Sequence, residues 1–193
     1  MNNSNSRVNS LTGKGLFPPK YAFTLLLPVR NIFISPRKLI DRLELKDNST
    51  VLEVGPGPGY FSSKVARAIP MGKLYLADIQ QEMLDFARKR LTNKNINNVE
   101  YHLCNGTTLP FSDCMFDVIF MVTVLGEIEN KHQYIKEFVR ILRRDGILSV
   151  SEQAGDPDKM EPTEIENLLK DSGLKFDRIF GSKRNFTINF KKV

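Results

Sequence analysis

Three observations predict an α/β fold built on an open, mostly parallel sheet with helices on both faces. Short apolar runs alternate with amphipathic segments, a glycine-rich turn separates the first such run from the next helix, and the last two runs lie too close together for a helical crossover. The 193 residues suffice for one sizeable core. A single domain over residues 1–193 is expected, with 1–46 as an N-terminal lid segment and 47–193 as the core.

The first helix is announced by "SPRKLIDRLEL". Ser35 is placed to cap it, Pro36 takes the first helical position, and Leu39, Ile40, Leu43 and Leu45 follow along one face. After the turn "KDNST", the run "TVLEV" stops at Gly55, as a buried strand does. The pattern then predicts a helix over 60–68, strand "KLYLAD", a helix over 80–91, strand "VEYHLC", a loop containing "NGTTLPFSD", and strand "FDVIFMV". A helix over 131–142, the turn "RRDG", strand "ILSVSE", a helix over 163–170 and strands "KFDRIFG" and "NFTINF" complete the chain. The closing pair reads as an antiparallel edge hairpin.

Composition narrows the class. With 41% hydrophobic and 26% charged residues the chain is a folded globular one rather than a disordered one. The run "YAFTLLLPV" is far short of the ~20 residues of a membrane span and contains Pro28. The first ten residues lack the apolar centre of a secretory signal, so a cytoplasmic location is expected. Cys104 and Cys114 match no metal-ligand spacing and are read as buried thiols; no metal is expected. The net charge of +6 is uneven: residues 1–50 and 174–193 carry +5 each, leaving −4 between them. Basic ends of this kind either attract an anionic partner or simply solubilise exposed faces.

The most informative stretch is "VLEVGPGPGYFS", residues 51–62. Glycine at 55, 57 and 59, between a strand and a helix, permits a sharp turn and lets a ligand touch the main chain. The spacing is G-x-G-x-G, whereas a dinucleotide fingerprint is G-x-G-x-x-G. Asp78 ends the second strand 23 residues beyond Gly55, where a carboxylate can accept both hydroxyls of a ribose. Glu53 accepts loop hydrogen bonds or meets an ammonium group, and it would repel phosphate. A nucleoside with positive charge and no phosphate describes S-adenosylmethionine better than NAD.

On these residues the chain resembles the class I S-adenosylmethionine-dependent methyltransferases, over about Val51 to Gly173. "VLEVGPGPG" is similar to that family's first motif, and "LYLADIQQEML" to its ribose-binding strand end. "NGTTLPF" resembles the adenine-contacting loop, "FDVIFMVTVLGEI" the strand beneath the reacting methyl, and "ILRRDGILSVSE" the fifth strand with its preceding helix and turn. The resemblance implies a Rossmann-like three-layer sandwich with strand order 3-2-1-4-5-7-6. It further implies that Glu53, Gly55, Gly57 and Gly59 surround the methionine moiety and Asp78 the ribose. Ile79 would cover an adenine face, Asn105, Gly106 and Thr107 would form the adenine loop, and Val122 would lie beneath the methyl. Asn105 stands where relatives often carry Asp, although an amide still accepts from an adenine amino group.

Methyl transfer asks a protein mainly for alignment and desolvation, and sometimes for a base. Glu127, after the fourth strand, and Glu152, ending the fifth, are the candidate catalytic acids. Many small-molecule relatives carry a histidine pair where this chain has Gly126 and Glu127, which makes Glu127 the substitute. The plainer readings are a helix-start acid for Glu127 and a structural acceptor for Glu152. His102, inside a strand, and His132, at a helix start, are not read as catalytic.

"VLEVGPGPGYFS" is also similar to the first motif of ribosomal RNA adenine dimethylases, but "VTVLGEI" stands where those enzymes hold a flipped base with Asn-x-Pro-aromatic. Neither cysteine has the setting of a cytosine-methylating nucleophile. Nucleic acid is therefore disfavoured. The resemblance implies that "GLFPPKYAFTLLLPVRNIFISP" folds over the acceptor pocket, where Phe17, Tyr21, Phe23 and Phe33 with Leu25 to Leu27 would make an apolar lid and Lys20 and Arg30 would meet an anionic head group; Lys20, Tyr21 and Arg30 are the candidate substrate contacts. A second reading lays this segment in a membrane interface, and the plain one packs it against the sheet. The function expected is methyl transfer to a small, apolar or lipid-like acceptor. The alternatives are an RNA or protein methyltransferase docking through its basic ends, or a catalytically silent S-adenosylmethionine-binding regulator. Oligomeric state stays open.

Overall fold

The computed structural model describes residues 34–106 and 108–193. Lys20, Tyr21, Arg30 and Thr107 fall outside the described residues, as does the proposed apolar lid. A seven-stranded sheet in the order β3-β2-β1-β4-β5-β7-β6 organises the rest. Strands β1 (Thr50–Val54), β2 (Lys73–Asp78), β3 (Val99–Leu103), β4 (Phe116–Val122) and β5 (Leu142–Glu152) run parallel; β7 (Asn185–Lys192) lies antiparallel between β5 and β6 (Leu174–Ser182). The expected strand order and edge hairpin are both present.

Helix α1 (Pro36–Arg42) starts as its sequence dictates, with the Ser35 hydroxyl accepting the Lys38 N–H at 3.3 Å and proline at the first position. Leu39 and Leu43 are fully buried, each burial worth about 1.5–3 kcal/mol. The end of the segment expected to be a lid is thus a core helix. With α2 (Ser62–Ala68) and α3 (Gln81–Thr92), α1 covers one face of the sheet over Val51, Leu74, Leu76, Val118 and Phe120. Helices α4 (Lys131–Ile141) and α5 (Pro162–Leu169) cover the other over Leu52, Ile119, Met121, Leu148 and Ile188. Apolar cover on both faces is why β1 and β4 read as almost unbroken apolar runs.

Three expectations need correction. Helix α2 begins at Ser62 rather than Tyr60, because Gly55, Gly57 and Gly59 hold φ of 63°, 52° and 74° and the turn they start runs on through Phe61. The turn "RRDG" is a bulge inside β5: Leu142 already pairs with Phe116, Ile147 pairs with Val118, and Asp145 turns the chain at φ 60°. Of the two cysteines, Cys104 is buried but Cys114 is exposed, in a turn at φ 51°. His102 lies on β3 against Tyr75 and Phe111, with ring centroids 5.7 and 4.8 Å away, so its place is structural.

Candidate active site

The glycine turn leaves β1 at the carboxyl end of the sheet. A Cβ at Gly55 would lie 2.6 Å from Val124 Cγ2, and one at Gly59 would lie 3.0 Å from Leu91 Cδ1. At these two positions the absent side chain makes room for protein, the turn after β4 in one case and α3 in the other. A packing demand therefore stands beside the ligand approach that the sequence suggested.

Glu53 is 3% exposed and accepts the Ser62 hydroxyl at 2.5 Å. Burial, opposed by that hydrogen bond and joined by the charge of Asp78, pushes its carboxyl up to about 8. Ser62 at the start of α2 is a partner the sequence did not reveal. Asp78 accepts the Gln80 N–H at 3.0 Å and further N–H bonds from Gly57 and Ile79. Burial raises it to about 6, held back by those amides. The carboxylate thus fastens the glycine turn to the end of β2. Beside it the Ile79 side chain is 41% exposed.

On the next loop the Asn105 side-chain carbonyl accepts the Thr108 N–H at 3.2 Å, and Gly106 turns at φ 82° with open space around it. The loop is held down by a clamp that reading the sequence missed. Glu137 accepts the Leu109 N–H at 3.0 Å, while Arg140 donates to the carbonyls of Leu109 and Phe111 and pairs with Glu137 and Asp113. These partners hold the Arg140 guanidinium further up than its ordinary range.

Val122 ends β4 opposite Ser151, and the chain then turns through Thr123 at φ 56°, whose N–H reaches the Ser151 carbonyl at 2.8 Å. A single 3-10 turn over Leu125–Glu127 follows, held by Lys131, whose ammonium donates to the carbonyls of Gly126 and Ile128. A Cβ at Gly126 would fall 1.8 Å from the Asp158 carbonyl oxygen. The loop after β5 is therefore laid directly on the turn after β4, and no histidine fits at 126. Glu127 is pushed up to about 8 by burial, then by Asp156, Asp158 and Asp78. Glu152 is 1% exposed and its Oε1 has no hydrogen-bond partner among the described residues. It too rises to about 8, through burial first and then Asp156, with Lys159 opposing and Glu127 and Asp158 adding. The two predicted acids thus belong to one charged group. Its other members, Asp156 and Asp158, carry no motif that would single them out in the sequence.

A family model described as a methyltransferase domain matches residues 45–180. The chain belongs to the S-adenosylmethionine-dependent methyltransferases. The chain is 34% identical over 118 residues to a ubiquinone/menaquinone biosynthesis C-methyltransferase UbiE of Hahella chejuensis, a match covering 60% of the chain and 47% of that protein. The Escherichia coli protein of the same name is 36% identical with the same coverage. The chain thus spans about half the length of the curated relatives it matches. A SAM-dependent methyltransferase of Aquifex aeolicus shares the fold with a TM-score of 0.86 at 24% identity, over 92% of this chain and 100% of that one.

Among the described residues no His/Cys/Asp/Glu group has the arrangement of a metal site, and no helix is long and apolar enough to cross a membrane. The basic C-terminal stretch is partly spent within the fold: Arg178 and Lys191 pair with Glu44 and Asp177, and Lys192 donates to the Leu142 carbonyl.

Proposed function

We propose that this methyltransferase moves a methyl group from S-adenosylmethionine to a small-molecule acceptor, with the cofactor at the ends of β1–β3 and the acceptor over the ends of β4 and β5. The observation that carries the reading is Asp78, a strand-end carboxylate fixed by three amides beside a glycine turn, with about one of its four lone-pair sites left to accept a ribose hydroxyl. Its neighbours fit the same cofactor. Glu53 faces the methionine ammonium across the main chain of Gly55, Gly57 and Gly59. Ile79 covers an adenine face, Asn105 and Gly106 border the ring, and Val122 floors the methyl. Bound S-adenosylmethionine supplies a methyl on a sulfonium, already an activated leaving group.

The chain's own residues then orient the acceptor, exclude water and handle a proton. Glu127 and Glu152, both raised to about 8, hold or accept a proton near neutral pH, as a general base must. The naming of the curated relatives as quinone-pathway C-methyltransferases supports a small molecule rather than a nucleic acid as acceptor. Calorimetric titration with S-adenosylhomocysteine, with NADH as control, tests the reading. Binding of the former alone, followed by label transfer from radioactive S-adenosylmethionine into a metabolite extract, is expected; preference for NADH, or no transfer to any small molecule, would refute it.

A further inference from the structure

The turn after β4 and the loop after β5 bring Glu127, Glu152, Asp156 and Asp158 within electrostatic reach of one another, with Asp78 acting on Glu127 from the cofactor side. Among the described residues Lys159 is the cation whose charge bears on Glu152, and its ammonium is already paired with Glu161 and set 5.6 Å from the Phe186 ring. Glu152 supplies a second, separate observation. Its side chain is 1% exposed, yet Oε1 meets no donor among the described residues. A buried oxygen without a donor costs about 1–3 kcal/mol. That cost is relieved by a ligand that brings N–H groups. An anionic ligand would be repelled here, and a purely apolar one would bury the carboxyls with nothing to bond.

We propose that this acidic end of the site recognises an ammonium group, and that the methyl acceptor is an amine. An ammonium carries three donors and no acceptor, so it can satisfy Glu152 Oε1 and reach Glu127 while offsetting their charge. The inference rests on the methyltransferase reading of the same site and names its acceptor class. One proton step follows: the ionised Glu152 takes a proton from the bound ammonium, leaving a neutral amine with a lone pair and a carboxylic acid. Charge and protons balance without any further reactant.

The test uses the full chain loaded with S-adenosylhomocysteine, titrated calorimetrically at pH 8 with benzylamine, benzyl alcohol and benzoate, probes matched in ring and size but not in charge. Benzylamine should bind at least about tenfold tighter than the other two. Its binding heat should also differ between phosphate and Tris buffers, because a cation drawn to Glu127 and Glu152 displaces their protons. Glu152→Gln should bring the three affinities within about threefold of one another while melting no lower than the parent, and Glu127→Gln should shrink the preference less. Equal affinity for the three probes, absence of binding included, overturns the inference, as does an undiminished preference in Glu152→Gln. Failure of the chain to take S-adenosylhomocysteine in the first step sinks the underlying methyltransferase reading as well. Uptake without an ammonium preference sinks the amine acceptor alone.

Discussion

The carboxyls on the two sides of the site are treated differently by the fold. On the cofactor side Asp78 has backbone amides and Glu53 has the Ser62 hydroxyl, so each meets a donor supplied by the chain. On the acceptor side Glu152 is as deeply buried as Glu53, but its Oε1 has none among the described residues. Burial raises all of these groups, yet Asp78 stops at about 6 where Glu53, Glu127 and Glu152 reach about 8. Amide donors aimed at the charged form restrain a carboxyl in a way that one hydroxyl does not. On the proposed cofactor side the chain itself supplies the donors, whereas on the proposed acceptor side Glu152 Oε1 is left for a ligand to meet.

The sharpest way to test that contrast is stability against pH. A carboxyl held at about 8 when folded and near 4.5 when unfolded contributes stability that is full below 4.5 and is lost as pH rises through 8. The melting temperature of the parent should thus fall between pH 5 and pH 8 and level off above. Glu152→Gln, which cannot ionise, should flatten the fall and stabilise the chain at pH 7 by an amount on the order of 3 kcal/mol. A steeper fall in that variant would break the comparison. Asp78→Ala should act on the other side, removing a charge-assisted acceptor and the tie to Gly57. We expect about 2–3 kcal/mol of lost S-adenosylhomocysteine affinity, roughly 30- to 150-fold by calorimetry, with a smaller flattening of the pH slope than in Glu152→Gln because Asp78 is raised only to about 6.

Gly126→Ala drives a Cβ into the Asp158 carbonyl, so the loop after β5 must shift at a cost of about 2 kcal/mol. Thermal melting should record that loss, and methyl transfer should fall while cofactor affinity holds. Equal losses of both would mean that the two sides are not separable. The smallest effect belongs to Arg140→Ala. Freeing the 105–113 loop should cost about 1 kcal/mol, read as a severalfold loss of cofactor affinity and faster amide exchange at Leu109.

Much of this architecture was legible in the sequence because local chemistry specified it. Strands β1, β2 and β4 have the limits their apolar runs announced, and Ser35-Pro36 begins α1 where a cap and a first-turn proline should. The residues proposed for the cofactor, Thr107 aside, are positioned on the fold for a similar reason, lying within a few residues of strand ends that the sequence marks. What escaped the sequence is tertiary. The contact of Asp158 with Gly126 and the hold of Arg140 on residues 109–113 join segments far apart in the chain, with no local signal for either. The start of α2 has no local signal either, because the backbone is still turning two residues beyond the last glycine of the turn.

The packing of Val124 against Gly55 has a consequence for how such a sequence can drift. A side chain at position 55 faces both a left-handed backbone at φ 63° and a space filled by the valine, whereas position 124 can shrink without any change at 55. The two positions are linked unequally: the valine can be lost with the glycine kept, whereas replacing the glycine first meets both the valine and the left-handed backbone. In a lineage of such chains, a small residue at 124 would mark those able to tolerate a change in the turn itself.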